Sequence, residues 1–149
     1  MIPVMDRPLF TGLVEHSLDD KGRLVVPSRF RAQLGSSFFL TIRDPEKCLE
    51  LCPAGELLKL RAQFEAAPEH STKVRSVRRH LWAHIDEVSC DEQGRVMIPP
   101  VLRAFAGLQK HVVSIGAMAR VEVWAKERYD RYLLDLGDLG DYASELGLS

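Results

Sequence analysis

Asp19 and Arg23 flank an Asp-Lys-Gly turn, and Asp91 and Arg95 flank Glu-Gln-Gly in the same way. A carboxylate that accepts from a guanidinium in a bidentate pair fixes the direction of the arginine and keeps it extended. An arginine so held suits a phosphate, or guanine O6 and N7 in a major groove. The competing reading is a surface ion pair that staples a hairpin and contributes about 0–1 kcal/mol. Occurrence twice in the same loop context favours a shared role, although common ancestry would also preserve a staple. The first turn is the richer in bases, with Lys21, Arg23, Arg29 and Arg31 around it. The second has Arg95 and Arg103, with Gln93 and Val101 in place of bases. The first is therefore expected to supply more of the phosphate contacts.

Other chemistries find less support. A basic run, Lys73, Arg75, Arg78, Arg79 and His80, puts three arginines on one helix face opposite Val74, Val77 and Leu81. That face is either phosphate-contacting or a solvated linker. Cys48 and Cys52 alternate as in a strand, and His80 and His84 have helical ligand spacing, but no C-x-x-C or H-E-x-x-H accompanies them, so no metal site is expected. There is no Walker loop, dinucleotide fingerprint or nucleophile elbow. No cofactor and no enzymatic activity are expected.

The turns belong to a repeat. At an offset of 72 residues, Asp19 to Pro27 lies over Asp91 to Pro99, Arg31, Ala32 and Gly35 over Arg103, Ala104 and Gly107, and Leu49 to Cys52 over Val121 to Trp124. An alternating stretch (Leu13, Val14, His16, Leu18) enters the first turn and Leu24-Val25-Val26 leaves it. Glycine last in a three-residue loop suits a hairpin, because it takes the left-handed conformation without strain. Pro27 then opens a short helix, Ser28 to Leu34, closed by Gly35. Phe38 to Ile42 and Cys48 to Cys52 read as strands. The second module repeats the helix over Pro99 to Gly107 and the strands over Val112 to Ile115 and Arg120 to Trp124. The resulting division is 12–54 for the first domain, 55–82 for a helical linker, 83–126 for the second domain and 127–149 for a terminal helix and acidic tail. Each module is near the size below which a lone core rarely suffices, so the two are expected to share one. Helices are read at 54–66 (Leu57, Leu60, Phe64), after Pro68 (Val74, Val77, Leu81), and from Lys126 to Leu136 (Tyr129, Tyr132, Leu133, Leu136). Beyond Gly137 the pattern fades and the tail is expected to fray.

The 149 residues carry a formal net charge of −1, whereas nucleic-acid binders are usually basic. From Glu127 onward there are six acids and two bases, which leaves residues 1–126 at +3. Local patches decide phosphate affinity, so net charge leaves the question open. Three cysteines cannot all pair within one chain, the start Met1 to Pro8 lacks a secretory h-region, and no apolar run approaches the ~20 residues of a membrane span. A cytoplasmic protein with no membrane partner is expected.

The stretch His16 to Arg31, with Asp91 to Pro99 and Gly116 leading to Glu122-Val123-Trp124, closely resembles the bacterial MraZ family over about Phe10 to Leu134. The resemblance implies an α+β, mainly β fold: two tandem SpoVT-AbrB-type, swapped-hairpin-like modules sharing a core, each followed by an amphipathic helix. It also implies a nucleoid-associated transcriptional regulator of the division and cell-wall gene cluster. Such a protein binds double-stranded DNA at short direct repeats upstream of its own operon, as a ring-shaped homo-oligomer. Arg23 and Arg95 match the arginine of the family's Asp-x-x-x-Arg motif, and Asp19 and Asp91 its aspartate. The residues before Phe10 and the acidic C-terminal extension depart from the pattern. The alternative function is a protein–protein module or ring scaffold, antitoxin-like, without direct DNA binding.

Overall fold

A computed structural model describes residues 8–148; Met1 to Arg7, part of the segment read above for a secretory signal, and Ser149 lie outside the described residues. The elements in chain order are β1 (Leu13–Ser17), β2 (Arg23–Val25), α1 (Ser28–Leu34), β3 (Ser37–Arg43), β4 (Cys48–Cys52), α2 (Ala54–Ala66) and α3 (Thr72–Ala83). They continue with β5 (Asp86–Ser89), β6 (Arg95–Met97), α4 (Pro100–Ala106), β7 (His111–Ala117), β8 (Arg120–Ala125), α5 (Lys126–Asp135) and α6 (Leu139–Leu146). The fold is α+β. Within each module strands predominate, and helices link and follow the modules.

The expected hairpin is replaced by an exchange. β1 does not pair with β2. It pairs antiparallel with β7 of the second module, with Leu13 opposite Ile115 and Ser17 opposite His111. β5 pairs likewise with β3 of the first module, and β2 pairs with β6. The six-stranded sheet has the order β1-β7-β8-β4-β3-β5, which reads the same from either end once each strand is swapped for its 72-residue counterpart. The repeat is thus a pseudo-two-fold about the β4/β8 seam, where Leu49 faces Val123 and Leu51 faces Val121.

Alternation sends Leu40, Ile42, Leu49, Leu51, Val121 and Val123 to one face of this sheet. There they meet Leu24, Val26, Phe30 and Leu34 of the first module and Val96, Ile98, Leu102 and Ala106 of the second in one continuous core. Neither module could enclose these side chains alone, which is why the two share a core. The helices α1 and α4 open at Pro27 and Pro99 as expected, and their closing glycines Gly35 and Gly107 have positive φ. On the other face, α5 packs over β7 and β8 through Trp124, whose ring lies 5.3 Å from Tyr129 and 4.9 Å from Tyr132, centroid to centroid. The equivalent helix α2 packs against β3.

Two helical expectations are corrected. Val77 is exposed and does not join Val74 and Leu81 on the packed side of α3. The tail beyond Gly137 forms α6, capped by Asp138, whose carboxylate accepts from the backbone N–H of Asp141, and closed by a left-handed Gly147. No helix among the described residues is long and apolar enough to cross a membrane.

The segment before β1 is held by backbone bonds from Phe10 N–H to the Met118 carbonyl and from Gly116 N–H to the Gly12 carbonyl, both 2.7 Å. Phe10 is buried against Phe30. A Cβ at Gly116 would overlap the backbone of Phe10 and Thr11. Gly116→Ala is therefore expected to lift this segment at a cost of about 1–3 kcal/mol, read as a fall of several degrees in thermal midpoint. An unchanged midpoint would show that the segment yields freely.

Candidate nucleic-acid interface

Both Asp-x-x-x-Arg turns have the same geometry. In the first, Gly22 N–H donates to the Asp19 carbonyl and Asp19 N–H to the Arg23 carbonyl, both at 3.0 Å, with Gly22 at φ 74°. Asp19 Oδ1 accepts from the backbone N–H of Lys21 and of Arg23, both at 2.9 Å, and Oδ2 accepts from Arg23 Nε at 2.6 Å. In the second, Asp91 Oδ1 accepts from Gln93 and Arg95 N–H at 2.9 Å and Oδ2 from Arg95 Nε at 2.7 Å. The expected bidentate pairing is not what forms. Each aspartate uses one oxygen for the turn's backbone and one for Nε, so the terminal Nη1 and Nη2 edge of each arginine has no partner among the described residues. That edge is the part of a guanidinium that grips a phosphate or a guanine.

The backbone N–H of Arg23 is the main reason that the Asp19 carboxyl lies below its usual range, helped by the Arg23 side chain, and Arg95 does the same to Asp91. A lowered folded-state value means that each network is intact at neutral pH and is lost only as pH falls below the ordinary aspartate range. Carboxyl carbon titration by NMR should therefore give midpoints for both residues below that of an ordinary aspartate. Arg23→Ala should raise the Asp19 midpoint only partway, because the backbone N–H of residue 23 remains. An ordinary midpoint in the wild type would rule the network out.

The turns flank the ends of the β2/β6 ribbon. Arg23 stands opposite Met97 and Arg95 opposite Val25, so Arg23 and Arg95 are diagonal neighbours on one face, with backbones about 7–8 Å apart. Leu24 and Val96 point the other way into the core. The outward face thus carries Arg23, Arg95, Val25 (44% exposed) and Met97 (49% exposed). Sequence reading missed Val25 and Met97. Their signal was present, since period-2 alternation with buried neighbours puts them beside the arginines.

The remaining bases do not gather where they were expected. Arg31 crosses to the second turn, where its guanidinium covers Gly94 and its Nη2 donates to the Val26 carbonyl at 2.8 Å. Its counterpart Arg103 crosses to the first turn and covers Gly22. A side chain at either glycine would displace these guanidinium groups, which adds a second reason for glycine to that of positive φ. Arg29 lies over Gly12, before β1 and so at the far end of that strand from the first turn. The asymmetry between turns is therefore smaller than expected. Lys21, Arg23 and Arg103 outweigh Asp19 and Asp20 at the first, while Arg95 and Arg31 balance Asp91 and Glu92 at the second. The basic run lies on α3, where Arg78 Nη1 grips the Glu69 carboxylate at 2.7 and 2.8 Å and Arg75 donates to its carbonyl. Cys48 and Cys52 are buried on β4, and burial pushes the Cys52 thiol up to about 11, so neither is a ready thiolate.

A pseudo-symmetric pair of exchanged β modules presenting two aspartate-aimed arginines on a shared ribbon defines a two-module protein of the swapped-hairpin class. Residues 9–79 and 81–140 match the family described as "MraZ protein, putative antitoxin-like". The chain is 36% identical over 143 residues to the transcriptional regulator MraZ of Clostridium acetobutylicum, covering 94% of this chain and all of the relative. It is 41% identical over 124 residues to the protein of that name from Acetivibrio thermocellus, covering 83% of this chain and 86% of the relative. With that of Clostridium tetani it shares 34% over 143 residues, or 94% of this chain. The chain belongs to the MraZ family.

Proposed function

We propose that this protein is a non-catalytic, sequence-specific DNA-binding transcriptional regulator whose β2/β6 ribbon enters the major groove. The observation that carries the proposal is the free terminal edge of Arg23 and Arg95, each aimed by Nε on its aspartate, on the exposed face of one two-stranded ribbon. A major groove accommodates such a ribbon. The separation of the two arginines, about 7–8 Å, is near two base-pair steps of about 3.4 Å. In this reading Arg23 and Arg95 contact guanine edges or phosphates, Asp19 and Asp91 orient them, and Lys21 adds a phosphate contact. Arg31 acts from the second turn, and Arg29 touches the backbone farther along the duplex. The membership of a family whose relatives are named transcriptional regulators supports the regulatory role. The finer assignment follows the family resemblance: direct repeats upstream of its own operon in the division and cell-wall cluster, bound by a ring-shaped homo-oligomer in the cytoplasm and on the nucleoid.

A salt-dependent gel shift on the chain's own upstream region tests the proposal. Affinity should fall steeply with salt, because cations released from the backbone drive binding, and Arg23→Ala should lose the shift at unchanged oligomer mass. Purified protein that ignores this DNA and instead recovers one stoichiometric protein partner would favour the antitoxin-like reading.

A further inference from the structure

Val25 and Met97 are 72-residue counterparts, as Arg23 and Arg95 are. Around them the repeat behaves as burial requires. Leu24 and Val96, and Val26 and Ile98, are apolar in both copies because they enter the core. Asp20 and Glu92, and Lys21 and Gln93, face water and are polar in both copies. Val25 and Met97 break that rule, being exposed in both copies and apolar in both. Strand propensity favours valine but not methionine, so it does not account for the pair. A single exposed apolar residue needs no explanation. A pair at equivalent positions of a repeat, beside two aspartate-aimed arginines, does.

The hydrogen bonds of the ribbon fix how closely these side chains approach. Val26 N–H donates to the Gly94 carbonyl at 2.9 Å, and Ile98 N–H to the Gly22 carbonyl at 3.2 Å. Bonded and non-bonded pairs alternate along an antiparallel ladder. Arg23–Met97 and Val25–Arg95 are therefore non-bonded pairs, with Cα atoms about 4.5 Å apart and side chains at their closest. Each arginine thus has an apolar side chain as its direct cross-strand neighbour. Arg23 and Arg95 occupy one diagonal of the four-residue face, and Val25 and Met97 the other. Asp19 and Asp91 hold the arginines by Nε at opposite ends of the ribbon.

We infer that Val25 and Met97 read the C5-methyl groups of thymines, each beside a guanine that an arginine contacts. The inference rests on the major-groove reading above and deepens it from affinity to base choice. Guanine offers O6 and N7 to a guanidinium, whereas thymine offers a methyl group to an apolar side chain. A cytosine in its place would set its N4 donor against valine or methionine and leave that donor without a partner. The apolar pair has nothing to offer a phosphate, so it places the ribbon on base edges and not on the backbone. Successive outward positions on a strand are about 6.6 Å apart, close to two base-pair steps of about 3.4 Å. The expected target is a guanine with a thymine within one base-pair step, occurring twice at a separation of two steps.

The test uses the full chain and duplexes of its own upstream region. Methylation interference first locates the contacted guanines. Each thymine within one base-pair step of them is then replaced by deoxyuridine, which removes only the methyl group. Wild-type affinity should fall about fourfold for each methyl group in contact, the value of one buried carbon. Val25→Ala with Met97→Ala should bind the thymine duplex more weakly and should no longer distinguish it from the deoxyuridine duplex. Both positions are exposed, so thermal midpoint and oligomer mass should match wild type. Equal wild-type binding of the two duplexes, or contacted guanines with no thymine beside them, would overturn the inference and leave the arginine contacts standing. Full discrimination by the double variant would also overturn it, by assigning the methyl effect to DNA shape. A smaller assembly that still discriminates would give the apolar pair to a protein contact instead. Wild-type protein that binds neither duplex would sink the major-groove reading itself and this inference with it.

Discussion

Arg23→Ala is expected to weaken binding to the chain's own upstream repeats by about 30-fold or more, with thermal midpoint and oligomer mass unchanged. A bidentate arginine–guanine pair is worth about 1–3 kcal/mol of discrimination. An oligomer that engages two repeats loses that amount at each, about 2–6 kcal/mol in all, provided its spacing lets both sites bind together. The substitution leaves the turn standing, because Asp19 Oδ1 still accepts from two backbone N–H groups. Arg95→Ala should cost a similar factor, since its geometry is the same to within 0.1 Å. Lys21→Ala should instead lower affinity on all sequences alike and reduce the salt slope by about one.

The contrast between Asp19→Asn and Arg23→Ala sharpens the prediction. Asparagine keeps an oxygen for the turn or for Nε but loses the charge that aims the guanidinium, so the arginine stays present and badly directed. Affinity should fall less than for Arg23→Ala, and discrimination between specific and random DNA should fall most. If Asp19→Asn bound as tightly and as selectively as wild type, the pair would be only a turn staple, of the kind worth about 0–1 kcal/mol.

How much of this was legible in the sequence depended on whether the physics was local. Pro27 and Gly35 bound α1 by backbone preference alone, and the expected span agrees with the observed one. Cys48 to Cys52 alternates and forms β4 over those residues. The partner of a strand is not local. Asp20-Lys21-Gly22 makes the same tight turn whether β1 folds back on β2 or, as here, goes to β7 while β2 goes to β6. The exchanged topology was available only through the family resemblance. For the same reason Arg31 and Arg103 were assigned to the wrong turns. Their helices lean across the pseudo-two-fold, and a linear sequence shows the residues nearest along the chain. α6 could have been found, because Asp138 and Gly147 are an N-cap and a left-handed closing residue at suitable spacing.

The largest expected loss of stability lies at the pseudo-two-fold itself. Glu50 and Glu122 are 72-residue counterparts and stand directly opposite each other across β4 and β8. Glu50 is only 5% exposed. Arg120 Nη1 donates to its Oε1 at 2.9 Å, and Thr41 Oγ1 reaches the same atom at 3.4 Å. Glu122 is held by Trp124 Nε1 at 3.0 Å. The position equivalent to Arg120 in the first module is Cys48, so a single arginine serves this buried acid beside a second one. Arg120→Met should cost about 3–5 kcal/mol, because it strands a buried charge next to a like charge. For a chain of this size that is about 6–20 °C of thermal midpoint. Glu50→Leu combined with Arg120→Met should recover most of the loss, since a well-packed apolar pair replaces a buried ion pair with little penalty. Thermal and urea unfolding of the two variants decide the matter. A single variant within about 1 kcal/mol of wild type would mean that water already reaches Glu50. A double variant as unstable as the single would mean that Arg120 acts through its packing on the seam and not through its charge.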